Sequence, residues 1–278
     1  MSLRAALIRG QAALTKADIE GAARDMRYLV AHVLGISASE VPLLAHDDLT
    51  QHQSERLFLL VEARILGQPI SQIIGKRRFW GRDFVVSSDV LDPRPETEFL
   101  IKAALEKPFE RLLDLGTGSG VILLTLLCER PKAIGLGCDI SPKALKVARQ
   151  NADVFGIGSS RVKLLQSNWF ANITGKFDLI VANPPYISSD EMRALDPDVL
   201  AFEPHIALSP GGDGLACYRI IARDCASFLR PLGRLIVEIG SKQGPDVCAI
   251  FARHGLLNPL ILKDFDGRDR ILQANAAL

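Results

Sequence analysis

From about residue 95 onward, short apolar runs alternate with helical stretches, and this pattern leaves few architectures open. The runs lie at 111–115, 133–138, 162–165, 177–182 and 235–239 and are partly β-branched; the stretches between them at 121–129, 142–155, 215–229 and 244–254 have helical character. Strands joined through helices run parallel with right-handed crossovers, and helices cover both faces of the sheet. The last two runs, 259–265 and 270–274, meet at Asp266-Gly267, a hairpin signal, so the sheet is expected to end antiparallel. This half of the chain therefore reads as an α/β domain.

The first 75 residues follow a different rule. They hold only two prolines, Pro42 and Pro69, and their apolar residues recur with a helical period. Met26, Leu29, Val30, Val33 and Leu34 fall on one stripe that ends at Gly35, a suitable C-cap, and Leu57, Leu60, Val61 and Ile65 repeat the pattern up to Gly67. Thr15 with Asp18 three residues on resembles a capping box for the helix that carries Met26. A helical domain over 1–75 is predicted. Between the two regions, residues 79–86 place β-formers on both sides of Gly81-Arg82, which predicts a short hairpin serving as a linker over 76–92. Its neighbours Lys76, Arg77, Arg78 and Arg82 form a dense basic cluster, read as a solvated ribbon.

Composition excludes several classes of function. With 48% hydrophobic and 23% charged residues the 278-residue chain falls in the ordinary globular range. Lys+Arg 33 against Asp+Glu 32 gives a net charge of +1, which supplies no field for bulk DNA or an anionic membrane. No apolar stretch approaches the roughly 18 residues of a membrane span, and the N-terminal apolar run breaks at Arg9. A cytoplasmic protein is expected. Five cysteines without a C-x-x-C pair read as reduced core residues, and five scattered histidines suggest no metal site.

The chemistry is expected at the carboxyl ends of the parallel strands. The first strand runs into Asp114-Leu115-Gly116-Thr117-Gly118-Ser119-Gly120, followed directly by a helix. Glycines there permit a sharp turn and close approach of backbone to a ligand. The spacing G-x-G-x-G departs from the dinucleotide fingerprint, and a tight turn without ligand is the alternative. The second strand ends at Asp139, 19 residues after Gly120, where a carboxylate can accept from both ribose hydroxyls or cap the helix opened by Ser141-Pro142. Loop and acid together indicate a nucleoside cofactor. The fourth strand leads into Asn183-Pro184-Pro185-Tyr186. Its prolines stiffen the loop and leave carbonyls to face a ligand, Asn183 adds an amide and Tyr186 a flat ring, a set suited to a planar NH₂ group.

These segments resemble the amino-methylating S-adenosylmethionine-dependent methyltransferases. Three further stretches, 91–98, 203–208 and 211–215, together with the helical domain and its hairpin, make the whole chain similar to the protein-glutamine N5-methyltransferases. That family modifies the glutamine of the Gly-Gly-Gln motif in class 1 peptide chain release factors. The resemblance implies a seven-stranded, mostly parallel Rossmann-like sheet with an antiparallel last hairpin over 93–278, and substrate recognition by the helical domain. It implies S-adenosylmethionine as cofactor: Gly116, Thr117, Gly118, Ser119 and Gly120 around its methionine part, Asp139 on its ribose, and Asn168 and Trp169 at its adenine. Asn183, Pro184, Pro185 and Tyr186 would hold the glutamine, with Asn183, Pro184 and Tyr186 acting in catalysis and Asn183 also next to the cofactor. Asn168 departs from the Asp usual in the family and is expected to weaken cofactor binding, and Asp92 stands where the family tends to be apolar. Class 1 release factors are the partner so implied, with no stable nucleic-acid binding and no membrane. Two other readings share the motifs. An adenine-N6 DNA or RNA methyltransferase would also hold a planar NH₂ but needs a basic groove; a non-catalytic cofactor-binding module would not need the intact tetrad. A nicotinamide dehydrogenase fits neither the glycine spacing nor the tetrad.

Overall fold

The computed structural model describes residues 1–277. The chain divides into two compact units: Met1–Lys76 together with Asp196–Phe202, and Arg77–Leu195 together with the chain from Glu203 onward.

The first unit is helical, with α-helices Leu3–Lys16, Ala22–Leu34, Gln51–Ile65 and Ile70–Ile74 and a 3₁₀ turn at Val41–Leu44. Met26, Leu29 and Val30 from one stripe and Leu57 and Val61 from the other meet Leu3 and Leu14 in its core. Gly35 takes the left-handed C-cap conformation at φ 70°, as its position predicts. The Thr15-Asp18 capping box is not there. Leu14 is fully buried and draws the first helix on to Lys16, so Thr15 lies inside it, and the second helix starts after Gly21 without a side-chain cap. The capping box of this unit is formed by Thr50 and Gln53. Buried Asp25 pairs with Arg64 at 2.9 Å and so ties the second helix to the third. The helix Pro197–Phe202 belongs to this unit, where its Phe202 carbonyl accepts from Gln72 Nε2 at 2.8 Å.

The second unit opens with a hairpin, β1 (Lys76–Phe79) and β2 (Arg82–Val85). Its turn residues are Trp80 at φ 48° and Gly81 at φ 72°, one position earlier than the sequence suggested, so Arg82 is in a strand. Two successive left-handed residues match the twist of a two-residue hairpin. The hairpin expected as a linker is packed into this unit: Phe79 and Phe84 are buried in the same cluster as Leu100, Ile101, Leu123 and Leu127. Its arginines meet acids, Arg78 with Asp83 at 3.3 Å, Arg82 with Glu129 at 2.9 Å and Arg77 with Asp92 at 3.7 Å.

The sheet consists of β3 (Arg111–Leu115), β4 (Ile134–Asp139), β5 (Val162–Gln166), β6 (Phe177–Ala182), β7 (Leu229–Glu238), β8 (Leu257–Lys263) and β9 (Asp269–Asn275). Their spatial order is β5-β4-β3-β6-β7-β9-β8, parallel from β5 to β7 and antiparallel thereafter. Alternation along each strand gives the sheet two buried faces. Leu113, Leu115, Ile180 and Val237 pack with Tyr218, Ile221 and Phe251 from helices Ala216–Cys225 and Gly244–Arg253. Leu112, Leu179, Val181 and Ile236 pack on the other face with helices Thr97–Leu105 and Val121–Glu129. Strand β7 begins six residues before the run the sequence marks, because Leu229 pairs with Phe177 ahead of a register shift, with Leu232 at φ 62° in between. Buried Arg234 on that strand donates to the carbonyls of Ala103, Ala104 and Lys107 at 2.9–3.2 Å, satisfying the C-terminus of helix Thr97–Leu105.

Candidate active site

Strand order reverses direction at β3: the chain moves outward to β4 and β5 and then returns to place β6 on the other side of β3. Such a switch point opens a crevice beyond the carboxyl ends of the central strands. The loops after β3, β4, β5 and β6 all reach it, and one cavity is lined by Gly116, Thr117, Gly118, Ser119, Asp139, Asn168, Trp169, Asn183 and Pro185. Of the residues singled out in the sequence, Gly120, Pro184 and Tyr186 do not line it. The segment Asp89–Arg94, Thr97 and the stretch Pro204–Pro210 complete the wall.

The glycine loop is held open by its conformation. Gly116, Gly118 and Gly120 have φ of 69°, 55° and 79°. A Cβ on Gly116 or Gly118 would meet no atom within 4 Å, so these two present bare backbone to open space, whereas one on Gly120 would press on Leu124 and Ala148. Gly120 is thus needed for the helix that follows rather than for the cavity. The loop is anchored from below: Thr117 Oγ1 donates to Asp114 Oδ2 at 2.6 Å. Asp114 is fully buried, and desolvation raises its carboxyl to about 7 against the pull of the Thr117 hydroxyl. Glycines on β4 make room for this packing, since a Cβ on Gly137 would crowd Leu123 and Thr117.

Asp139 ends β4 with both oxygens engaged. Oδ2 accepts from the Gly118 amide at 2.8 Å and Oδ1 from the Ser141 amide at 2.9 Å. Burial raises its carboxyl above the ordinary range, and these backbone donors oppose the rise. Each carboxylate oxygen retains a further lone pair for a ligand hydroxyl. Trp169, partly buried, sits at φ 51°, a conformation unfavourable for a bulky side chain, and its carbonyl accepts from Ser167 Oγ at 2.8 Å. Asn168 beside it is exposed at the cavity.

The tetrad after β6 is braced from three directions. Asn183 Nδ2 donates to Thr97 Oγ1 at 3.3 Å, and Thr97 Oγ1 donates to Glu238 Oε2 at 2.7 Å. Tyr186 packs against the core of the sheet, and burial, with the Glu238 carboxyl near it, drives its phenol well up. The Tyr186 carbonyl accepts from Gln243 Nε2 at 2.9 Å. Glu238 is itself fully buried, and desolvation lifts it to about 7 despite the Thr97 hydroxyl and Arg270. Neither Thr97 nor Glu238 carries a motif signal of its own: Thr97 falls within 91–98, and a glutamate that ends an apolar strand has no periodic mark. The five cysteines are free, three buried and two partly so. Among the described residues no group of His, Cys, Asp and Glu is placed to hold a metal ion, and no helix is long and apolar enough to cross a membrane.

The bare backbone of Gly116 and Gly118, the acceptor pair of Asp139 and the flanking Trp169 suit a nucleoside with a charged tail. Residues 76–213 match the Methyltransferase small domain, and residues 5–75 match the PrmC N-terminal domain. The chain is 50% identical to the release factor glutamine methyltransferase of Cereibacter sphaeroides, over 98% of this chain and 96% of that one. It is 42% identical to the enzyme of the same name from Agrobacterium fabrum, over 98% and 96% of the two chains. Among solved structures, a methyltransferase from Pyrococcus furiosus matches with a TM-score of 0.55 at 16% identity, over 78% of this chain and 98% of the other. The hMettl16 catalytic domain in complex with MAT2A 3'UTR hairpin 6 matches with a TM-score of 0.58 at 14% identity, over 81% and 82%. These two likenesses concern the fold.

Proposed function

The chain belongs to the release factor glutamine methyltransferases, and from that premise we propose that its tetrad Asn183-Pro184-Pro185-Tyr186 holds the glutamine of the Gly-Gly-Gln motif of a class 1 release factor for methylation at N5. The enzyme is an S-adenosylmethionine-dependent methyltransferase acting on release factor glutamine. The observation that supports the site assignment is the meeting of Asn183 and Pro185 with Gly118 and Asp139 around one cavity at the switch point of the sheet.

The residues fit the cofactor. Gly116 and Gly118 would take its methionine part against bare backbone, Asp139 its ribose hydroxyls, and Asn168 and Trp169 its adenine. Bound there, S-adenosylmethionine supplies an electrophilic methyl on a sulfonium. An amide nitrogen is a poor nucleophile because its lone pair is delocalised into the carbonyl, so the chain must orient it and polarise its hydrogens. Asn183 Oδ1 and the Pro184 carbonyl each accept one N–H of the glutamine, which holds the nitrogen in place. Those two acceptor dipoles would then lie where positive charge grows as the methyl arrives. Tyr186, packed against the core of the sheet beside this wall, would lie against the amide of the bound glutamine and exclude water. No side chain is assigned as a base, because an N-methylated, protonated amide is acidic enough to lose its proton to water.

The helical unit reads the protein partner, since a small amide pocket cannot select one loop among all proteins. The near-neutral charge suits a protein partner better than a duplex, whose affinity needs many phosphate contacts. The work is cytoplasmic, alongside translation termination. The test is mass spectrometry of a class 1 release factor incubated with the enzyme and S-adenosylmethionine, beside a release factor whose motif glutamine is replaced. One methyl on the motif peptide, absent from the variant, is expected; methyl on adenine in added DNA or RNA instead would refute the assignment.

A further inference from the structure

Two buried residues behind the tetrad have no part in the chemistry described so far. Thr97 opens helix Thr97–Leu105, and Glu238 ends β7, 141 residues further on; Thr97 is 2% exposed and Glu238 1%. Their hydrogen bonds form a chain with a direction. In its ionised form a carboxylate only accepts, and a threonine hydroxyl has one proton to give. With Glu238 ionised, Thr97 gives that proton to its Oε2 at 2.7 Å. Its oxygen can then only accept, so the group that Asn183 turns toward it must be the NH₂, which lies 3.3 Å away.

We propose that Thr97 and Glu238 are positioning residues that lock the amide of Asn183 in one of its two flipped orientations, with Nδ2 toward Thr97 and Oδ1 toward the acceptor glutamine. The proposal rests on the reading that Asn183 receives an N–H of that glutamine. A primary amide is nearly symmetric in shape, so packing alone distinguishes its O from its N poorly, and the hydrogen-bond partner has to decide. With the amide reversed, Asn183 would point N–H at the N–H of the substrate, and the acceptor that the reaction needs would be gone. The Glu238 backbone is held in turn, its carbonyl accepting from Tyr218 Oη at 3.0 Å, which keeps this end of β7 from shifting. Buried polar chains of this kind are costly unless their members are satisfied, and here Asn183, Thr97 and Glu238 are joined in sequence.

The experiment is a double-mutant cycle on methylation of a class 1 release factor, with Thr97→Val, Thr97→Ser, Asn183→Ala and Thr97→Val/Asn183→Ala. Cofactor affinity is measured for each by calorimetry. Valine keeps the shape of threonine and removes the hydroxyl. Thr97→Val is expected to lower kcat about 10- to 100-fold, the usual cost of losing a residue that orients a functional ligand, with cofactor Kd within about twofold of the parent. Serine restores the hydroxyl and most of the rate. In the Asn183→Ala background the valine change is expected to cost almost nothing further, because there is no amide left to orient. A Thr97→Val enzyme with parental kcat overturns the proposal. So does a loss that persists undiminished without Asn183, or one that falls equally on cofactor binding, since either marks a purely structural role. Failure of the parent enzyme to methylate the release factor, or a parental rate from Asn183→Ala alone, would instead remove the reading on which the proposal stands.

Discussion

The Gly118 amide, in the loop after β3, donates to Asp139 Oδ2, at the end of β4, over 2.8 Å. One carboxylate therefore shapes the glycine loop as well as offering lone pairs to a ligand. Its second oxygen is held by the Ser141 amide at 2.9 Å, so both oxygens are used as acceptors within the protein.

Asp139→Asn follows from that pairing. An asparagine has one acceptor oxygen and must turn its NH₂ toward one of two backbone N–H groups, donor against donor. Hydrogen bonds to charged groups are worth about 1.5–3 kcal/mol, so cofactor Kd is expected to rise about 10- to 150-fold. Isothermal titration with S-adenosylmethionine checks this, and an unchanged Kd would count against Asp139 as a cofactor residue.

Asn168→Asp runs the other way. Asn168 is exposed at the cavity next to Trp169, where the family resemblance implies an acceptor for the adenine amine. A carboxylate accepts more strongly than an amide oxygen, by about 1 kcal/mol for one bond, so a cofactor Kd lower by about fivefold is expected. The same titration reads it, and weaker binding by the aspartate variant would place the adenine elsewhere.

Gly214→Ala tests how the tetrad loop is held. Gly214 lies at φ 78°, and a Cβ there would run into the Tyr186 carbonyl and crowd the Ser188 amide. Both neighbours are backbone and cannot swing aside. A stability loss of about 1–3 kcal/mol is expected from the strained backbone alone, together with a fall in kcat, because the displaced atom belongs to the tetrad. Thermal unfolding and single-turnover methylation separate the two effects.

Asp114→Asn addresses pH. In the folded enzyme Asp114 is held at about 7 by burial, against about 3.9 for an unfolded aspartate. Between those values the native state binds more protons than the unfolded one, so stability is complete below about pH 4 and declines as pH rises toward 7. Glu238, also raised to about 7, contributes a slope of the same sign. Replacing Asp114 by asparagine removes only its own share. Urea unfolding is therefore expected to show the variant gaining on the parent as pH goes from 5 to 8. A difference between the two that is constant with pH would mean that Asp114 is ionised throughout.

Local signals account for much of the fold. Runs 111–115 and 177–182 and the helix at 121–129 lie where apolar patterning and glycines put them. Patterning was less informative where a strand is irregular. Residues 229–234 do not read as a strand, because Pro231 and Gly233 interrupt them, yet Leu229 pairs with Phe177 across the register shift. At the other end of the chain, Thr15-Asp18 has the residues of a cap, but a buried Leu14 carries the helix past it. A cap signal is local and weak beside the burial of a leucine.

The sequence by itself determined the alternation of strand, glycine and helix, the position of the glycine loop, Asp139 at the next strand end, and the Asn183 to Tyr186 tetrad, because each is a matter of residues adjacent or regularly spaced along the chain. Only the tertiary structure decided that Thr97 and Glu238 stand behind Asn183, that Gly214 lies against the Tyr186 carbonyl, and that Pro197–Phe202 packs with a helical unit formed by the first 76 residues. Those are pairings across tens to more than a hundred residues, set by which strand lies beside which, and no periodicity along the chain records them.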